Sequence, residues 1–372
     1  MSASQPVRIQ WEDDEDLEQG EEQPVDTGAS VVGKATKDGD IELQPLVEAD
    51  VQPRKPLRQK PLWSVWPSRN TFCFSGALIT GGSDEFMCPN ICVWSFILIP
   101  STFYFGWVFP ALWQRGCYAL PALTLVIFLI TSGSLLATCC SDPGIIPRRE
   151  VIVATKDTAR LEAVLGYDAL GEINENGSGQ IPKKLSHMGY RWCRTCRIVR
   201  PPRASHCPDC DNCVLRYDHH CPFVNNCVGQ RNYHFFFSFV TCVWCLALLV
   251  LPAILWFLTS TNIESTIDGM VKIEKRRGAI TLIFYGIIVL GAVVVLAALG
   301  SMLLWFYHVF LIATNKTTKE QRKSLENITE EPTLCGARGP QLFDPWALVD
   351  PIDLVPERQP NTPNKRYRDE AF

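Results

Sequence analysis

Charge is missing from four long stretches of this 372-residue chain. No Asp, Glu, Lys or Arg occurs in Ile91–Leu112, in about Ala119–Thr138, in about Phe235–Leu258 or in about Ile280–Ile312. Each stretch meets or exceeds the roughly 20 residues with which a helix crosses a bilayer, and core helices of soluble proteins seldom run so far uncharged. The missing charge therefore sets aside a large soluble protein and predicts four transmembrane helices. The first residues (WEDDEDLEQGEE and their surroundings) lack a charged, apolar, small-residue cleavage pattern, so no cleaved signal peptide is expected. No internal repeat stands out, which sets aside a repeat architecture. The net charge is only −4, and a nucleic-acid partner is not expected.

Four spans leave both termini on one side. The basic stretch Arg54–Lys60 precedes the first span, and the segment between the second and third spans is rich in Arg. By the positive-inside tendency both belong to the cytosol. Lys272, Lys275, Arg276 and Arg277, between the third and fourth spans, argue the other way and are outweighed. The chain thus divides into a disordered acidic cytosolic tail (1–70), two spans (71–138), a cytosolic cysteine-rich segment (139–232), two further spans (233–314) and a cytosolic C-terminal tail (315–372). Residues after about Thr329 are Pro-rich and expected to be mobile, and the sequon Asn176-Gly177-Ser178 would be silent on the cytosolic side.

What is plentiful is cysteine, 16 in all. Between Tyr190 and Tyr233 lie Cys193, Cys196, Cys207, Cys210, Cys213, Cys221 and Cys227, with His206, His219 and His220. The pairs Cys193/Cys196 and Cys207/Cys210 have the two-residue spacer by which one tight turn presents two sulfurs to a zinc ion. Disulfides are the alternative, but cytosolic thiols are kept reduced, which favours metal. Ten candidate ligands face the eight that two closed tetrahedral sites require. The segment is short and polar, so metal would supply its folding energy. Two residues remain, and a Cys and a His kept out of metal form the elementary unit of thiol nucleophilic catalysis. Counting does not say which two are free.

The run C-x2-C-x3-R-P-x2-R-x2-H-C-x2-C-x2-C-x4-DHHC-x5-C-x4-N-x3-F is met from Cys193 to Phe236, through Arg200, Pro201, Arg203 and Asn232. It resembles the DHHC-type protein S-acyltransferases (palmitoyltransferases). Asp142-Pro143-Gly144 and Thr317-Thr318-Lys319-Glu320 look like that family's DPG and TTxE motifs, so the likeness covers roughly residues 85–325. Asn70–Phe86 is similar to the fungal Ras-directed branch, which works with a small accessory subunit. The resemblance implies a polytopic α-helical membrane protein with a two-zinc cytosolic module. One structural Zn2+ would take Cys193, Cys196, His206 and Cys213, and the other Cys207, Cys210, His220 and Cys227. The free pair is then His219 and Cys221, with Asp218 placed to orient the imidazole.

The implied reaction takes a palmitoyl group from palmitoyl-CoA onto Cys221, and from there to cysteines of membrane-associated proteins, Ras-like GTPases among them, at the endoplasmic reticulum or Golgi. Arg200, Arg203, Arg216 and Arg231 are suited to CoA phosphates, with solvated charge or lipid-headgroup contact the alternative. Phe236, Phe239, Val243 and Leu246 form one helical stripe that either lines an acyl pocket or packs on a neighbouring helix. Asp142 and Asn232 read as turn or backbone partners, the TTxE turn as packing on the catalytic segment, and Cys139 and Cys140 as juxtamembrane acylation targets or inert thiols. Two departures stand out: Phe223 replaces the family's usual Trp, and the family's C-terminal aromatic-plus-Asn motif is not found between Glu320 and Cys335. A membrane adaptor whose zinc module only binds partners, and a membrane-embedded ubiquitin ligase, are the rival readings. The spare His–Cys pair beside a span argues against both.

Overall fold

The computed structural model describes residues 31–35, 41–45, 59–82, 88–174, 179–259, 276–323 and 339–354. The sequon at 176–178, the basic residues Lys272 and Lys275 and most of the acidic tail lie outside these. Residues 1–59 form one unit and 60–372 another. The first holds an antiparallel ladder of Val31–Ala35 on Ile41–Pro45. Disorder was the expectation for this tail. Val31, Val32, Ile41 and Leu43 supply the apolar, β-prone residues that this short ladder uses.

In the second unit the charge-free stretches become four helices long and apolar enough to cross a membrane: Pro89–Gln114, Ala119–Cys140, Tyr233–Phe257 and Ile288–Ala313. At 1.5 Å per residue they run roughly 33 to 39 Å, enough for a hydrocarbon core of about 30 Å. The chain is a multi-pass membrane protein. Span one carries Pro100 and then a π-helical turn, Tyr104–Val108. There the buried Tyr104 hydroxyl meets Thr124 Oγ1 of span two at 3.3 Å.

Between spans two and three, six three-residue strands make three antiparallel hairpins: β1 (Arg191–Cys193) with β2 (Ile198–Arg200), β3 (Ser205–Cys207) with β4 (Asn212–Val214), and β5 (His219–Cys221) with β6 (Asn226–Val228). Cys193, Cys207 and Cys221 end the first strand of each hairpin and lie 14 residues apart. The chain thus has a short internal repeat, contrary to the reading above. The first copy has Trp192 where the others have His206 and His220, and the third has Val224 where the others have Cys196 and Cys210, so the copies do not look alike by cysteine count.

The module's apolar core is larger than the segment alone suggested. Leu62 and Ile79 from before span one, Ile145 and Val151 from after span two, and Phe343, Val349 and Leu354 from the C-terminal region share one buried cluster with Cys207, Cys210 and Cys227. Two expectations are thereby corrected. Lys60–Asn70, drawn as disordered tail, is folded, with Leu62 fully buried and Lys60–Pro61 paired to Leu348–Val349. The C-terminal region, without the family's aromatic-plus-Asn motif, packs back on the module through residues 339–354. In both cases widely spaced apolar side chains find one another across the chain.

Candidate active site and metal centres

Each hairpin turn is built alike. The fourth residue after the leading cysteine has a positive φ: Arg197 at 50°, Asp211 at 54° and Asn225 at 47°. In the first two turns the backbone N–H of the second cysteine approaches the sulfur of the first, Cys196 to Cys193 at 3.4 Å and Cys210 to Cys207 at 3.5 Å. The chain folds so that each C-x2-C turn is completed by a His and a Cys from the next hairpin. Cys193, Cys196, His206 and Cys213 bring one ligand atom each within 4.8 Å of one another, and so do Cys207, Cys210, His220 and Cys227. Three thiols and one imidazole, mostly buried, form the donor set of a closed tetrahedral zinc site. Both histidines face their clusters with Nδ1, His206 at 3.4 Å from Cys196 Sγ and His220 at 3.4 Å from Cys210 Sγ. The other nitrogen of His206 lies 3.6 Å from Asp211, a carboxylate of the kind that orients metal-bound imidazoles.

In the third turn Val224 N–H lies 3.2 Å from the Cys221 carbonyl, and the backbone N–H groups of Phe223 and Val224 also face the Cys221 sulfur, as in the knuckles. Neither Cys221 nor His219 belongs to a cluster. His219 Nδ1 lies 2.6 Å from Asp218 Oδ2. Burial would raise the Asp218 carboxyl, but the bonds and charge of His219 and the N–H of Thr318 hold it low. Burial would likewise depress His219, yet Asp218 and Cys221 raise it to about 9. Burial would push the Cys221 thiol up, and the hydrogen bond and charge of His219 outweigh that and lower it. All three shifts run in the direction that favours a thiolate–imidazolium pair beside a carboxylate.

The flanking motifs position this line. Thr318 donates through N–H and Oγ1 to the two oxygens of Asp218, both at 2.7 Å. Thr317 and Glu320 form a capping box on the short helix Thr318–Arg322, and Glu320 also receives Arg203 Nε at 2.9 Å. Asp142 accepts from Gly144 and Ile145 N–H at 2.8 and 2.9 Å and pairs with Arg231 Nε at 3.0 Å. A Cβ on Gly229 would fall 2.6 Å from the Pro143 carbonyl, so only glycine allows this approach of the DPG turn to the module. Asn226 Nδ2 donates to the carbonyls of Thr138, Cys139 and Ser141 and clamps the end of span two to β6. Asn232 bonds Gly229 N–H and the Cys227 carbonyl. Cys139 is buried, with Asn90 Nδ2 donating to its sulfur at 3.5 Å.

Inside the bundle a cavity of about 400 Å³ is lined by spans one and three, with contributions from Thr124 of span two and from Val293, Val294, Leu296 and Ala297 of span four. Phe239, Val243 and Leu246 line it, and Val250 extends the lining one turn further. Val93, Ile97 and Phe239 also pack on the buried cluster that holds Cys221. Phe236, the top of the expected stripe, is not among the lining residues. It stands edge-on to the His219 ring, with centroids 5.4 Å apart.

A family model described as DHHC palmitoyltransferase matches residues 186–325. Palmitoyltransferase ZDHHC9 of Homo sapiens is 30% identical over 325 residues, covering 83% of this chain and 85% of its own. The chain belongs to the DHHC palmitoyltransferase family. Palmitoyltransferase ZDHHC14 of Homo sapiens is 30% identical over 327 residues, and this chain spans only 62% of its length. Palmitoyltransferase erf2 of Aspergillus fumigatus is 33% identical over 255 residues, 68% of this chain and 40% of that one. The enzyme class, protein S-palmitoyltransferase, comes with the family.

For a DHHC enzyme the arginines matter, and here the geometry departs from expectation. Arg203 spends its guanidinium on Glu320, Asn315 Oδ1 and the Asn315 carbonyl. Arg231 is held by Asp142 and the Gly339 carbonyl. Both guanidinium groups are covered and held by partners within the protein, with which the expected CoA phosphates would have to compete, and Arg216 is buried too. Arg200 is partly exposed and stays close enough to Lys319 for its charge, after burial and Lys323, to help depress that ammonium to about 8. Sequence reasoning missed three partners: Thr318 as the holder of Asp218, Tyr233 and His308. An ionisable residue inside an uncharged span was the available signal for His308.

Proposed function

We propose that this enzyme transfers a long-chain acyl group from acyl-CoA to protein cysteines through a thioester on Cys221. The thiolate of Cys221 attacks the acyl-CoA carbonyl and expels CoA thiolate, and His219, as imidazolium, protonates that leaving sulfur. In the second step neutral His219 accepts the proton of an incoming protein thiol, which attacks the thioester and releases Cys221. Asp218 holds the tautomer and steadies the imidazolium, fixed in turn by Thr318. Cys193, Cys196, His206 and Cys213 would hold one zinc, and Cys207, Cys210, His220 and Cys227 the other. With four protein ligands each, the ions supply rigidity to the hairpins.

The observation that carries this reading is the Cys221–His219–Asp218 line set beside an apolar cavity in the bundle. The acyl chain lies along Phe239, Val243 and Leu246, and Arg200 with Lys319 meets CoA phosphate. Donor solubility places the site at the cytosolic face, with both termini on that side. Protein substrates carry membrane-proximal cysteines. Likeness to the Ras-directed branch supports Ras-like GTPases as substrates, a small accessory subunit, and residence in the endoplasmic reticulum or Golgi. The test is labelled palmitoyl-CoA incubated with detergent-purified protein. Wild type should take a hydroxylamine-labile label, and Cys221→Ser should take none while keeping about two zinc ions per chain. Label surviving in Cys221→Ser would place the acylated thiol elsewhere, with Cys139 and Cys140 tested next.

A further inference from the structure

His308 lies in the apolar fourth span and is 1% exposed. An ionisable side chain at such a depth is costly and is kept where a partner and a task offset the cost. Its partner is on span three. The Tyr233 hydroxyl lies 2.9 Å from His308 Nδ1, and Tyr233 is itself 1% exposed. The His308 ring meets Phe236 edge-on at 5.0 Å and 69°, and Phe236 meets His219 edge-on at 5.4 Å and 74°. The His308 and His219 rings also face each other, with centroids 6.3 Å apart, so His308, Phe236 and His219 form one compact aromatic triangle. One corner is fixed by a buried hydrogen bond, and another is the imidazole beside Cys221. Span four ends at Ala313, five residues past His308, and a short turn then leads to Thr317, which caps the helix whose Thr318 grips Asp218.

We propose that the Tyr233–His308 hydrogen bond is a positioning device for the His219 imidazole. It sets the rotation of span four against span three. That setting presses Phe236 on the ring of His219 from one side and keeps Thr318 on Asp218, hence Asp218 on Nδ1, from the other. Packing alone would be served by phenylalanine at position 308. The bond adds direction, because a buried hydroxyl left without its partner drives the two helices to rearrange. In this proposal His308 and Tyr233 act through Phe236, through Asp218 and through the ring contact of His308 with His219. The inference rests on the reading of Cys221, His219 and Asp218 as the reacting line.

The experiment uses the full chain in nanodiscs, with the single-turnover rate of Cys221 acylation measured against palmitoyl-CoA concentration. His308→Phe and Tyr233→Phe should each slow the maximal rate about five- to tenfold, the scale of one neutral hydrogen bond. The double variant should be no slower than either single one. The palmitoyl-CoA concentration at half-maximal rate and the zinc content should not change. His308→Asn, whose amide takes the place of Nδ1, should restore most of the rate, whereas His308→Gln should not. Rates within twofold of wild type in both phenylalanine variants, while His219→Ala is inactive, would overturn this inference and leave the reacting line standing. Losses that are equal in Asn and Gln and track zinc content or Tm would overturn it in favour of a helix clamp. Full activity of His219→Ala would instead overturn the reading beneath it.

Discussion

The first two hairpins of the module and the third share a backbone and differ in chemistry. In all three the leading cysteine pairs across the ladder with the residue five positions on: Cys193 with Ile198, Cys207 with Asn212, Cys221 with Asn226. In all three the turn closes through a residue with a positive φ. The first two carry a second cysteine and face a His and a Cys from the following hairpin. The third carries Val224, which is 1% exposed, and is followed by a helix. Loss of the second thiol and of a following hairpin together leave a turn that presents a single thiol. On the proposed reading, Cys221 has the backbone of a zinc knuckle without a metal on its sulfur. Adjacent residues His219 and His220 divide in the same way, one toward Asp218 and the other into a cluster.

The most drastic way to break the comparison is to remove each histidine in turn. His220→Ala takes a ligand from one cluster, and structural zinc is worth on the order of 10 kcal/mol of folding free energy in small domains. The variant should lose one of the two zincs and, with it, the fold of the module and all acylation. His219→Ala should keep both zincs and the fold, while acylation slows roughly 100-fold or more, as for loss of a general base. Metal analysis with thermal unfolding of the two proteins decides the matter. Equal zinc loss from both would mean that the two residues do not differ in kind.

A gentler change makes the third turn resemble the others. Val224→Cys should bring a second thiol against Cys221, as Cys196 lies against Cys193. Under an oxidising glutathione poise this variant should lose most of its acyl label through a disulfide between Cys221 and the introduced thiol, and regain it on reduction. Val224→Ala, a control for packing, should keep its label within about threefold under both conditions. A Val224→Cys enzyme that stays active when oxidised would show that the third turn does not hold its residues as the knuckles do.

Much of this was legible in the sequence because it rests on local spacing or on long runs. Uncharged stretches mark the spans, and C-x2-C marks a turn that offers two sulfurs. The division of labour between His219 and His220 was not local, since the cluster that claims His220 draws on Cys207 and Cys210 from another hairpin. Guanidinium chemistry was ambiguous for the same reason. Arg203 and Arg231 have the donors for phosphate, but Glu320 and Asp142 reach them first through long-range folding. The 14-residue repeat was hidden because Trp192 and Val199 in the first copy and Val224 in the last interrupt the Cys/His pattern. Leu62, Phe343 and Val349 showed no periodicity, for they come from short irregular segments that share one cluster only in the folded chain.

The comparison sharpens further with pH. Cys221 is held low by His219, and His219 is held up, at about 9, by Asp218 and Cys221. The ion pair therefore exists above the lowered thiol pKa and below that of the imidazolium. Acylation at Cys221 should rise with pH as the thiolate forms. Asp218→Asn removes the charge that steadies imidazolium, so the imidazolium loses protons more readily and the thiolate loses its counter-charge. The thiol pKa then moves up, and the rising limb of the rate–pH profile should shift to higher pH. Thr318→Ala, which loosens the carboxylate but leaves its charge, should shift it less. An unmoved profile in Asp218→Asn would mean that Asp218 orients the ring without stabilising its charge.

The smallest effect concerns the acyl chain, which on the proposed reading passes from Cys221 into the bundle. Phe239, Val243 and Leu246 line the cavity, and Val250 continues it, whereas Phe236 is taken up by His219 and His308. From Phe239 to Val250 span three descends roughly 16 Å at 1.5 Å per residue, comparable with much of an extended palmitoyl chain. Leu246 stands in the deeper half of that path, where its size limits how far a chain can reach. Leu246→Ala opens the deep end and should move preference toward longer chains, and Leu246→Trp should move it toward shorter ones. Each buried methylene is worth about 0.8 kcal/mol, so a change of two carbons should alter the ratio by no more than about 15-fold, and less where the bundle relaxes into the space. The measurement is competition among acyl-CoAs of 14, 16 and 18 carbons for label on Cys221, with zinc content and total label as controls. If preference stays fixed in both variants while total label is normal, span three does not set the length. Selection would then pass to the opposite wall, where Tyr104 and Phe105 of the π-helical turn face the same cavity.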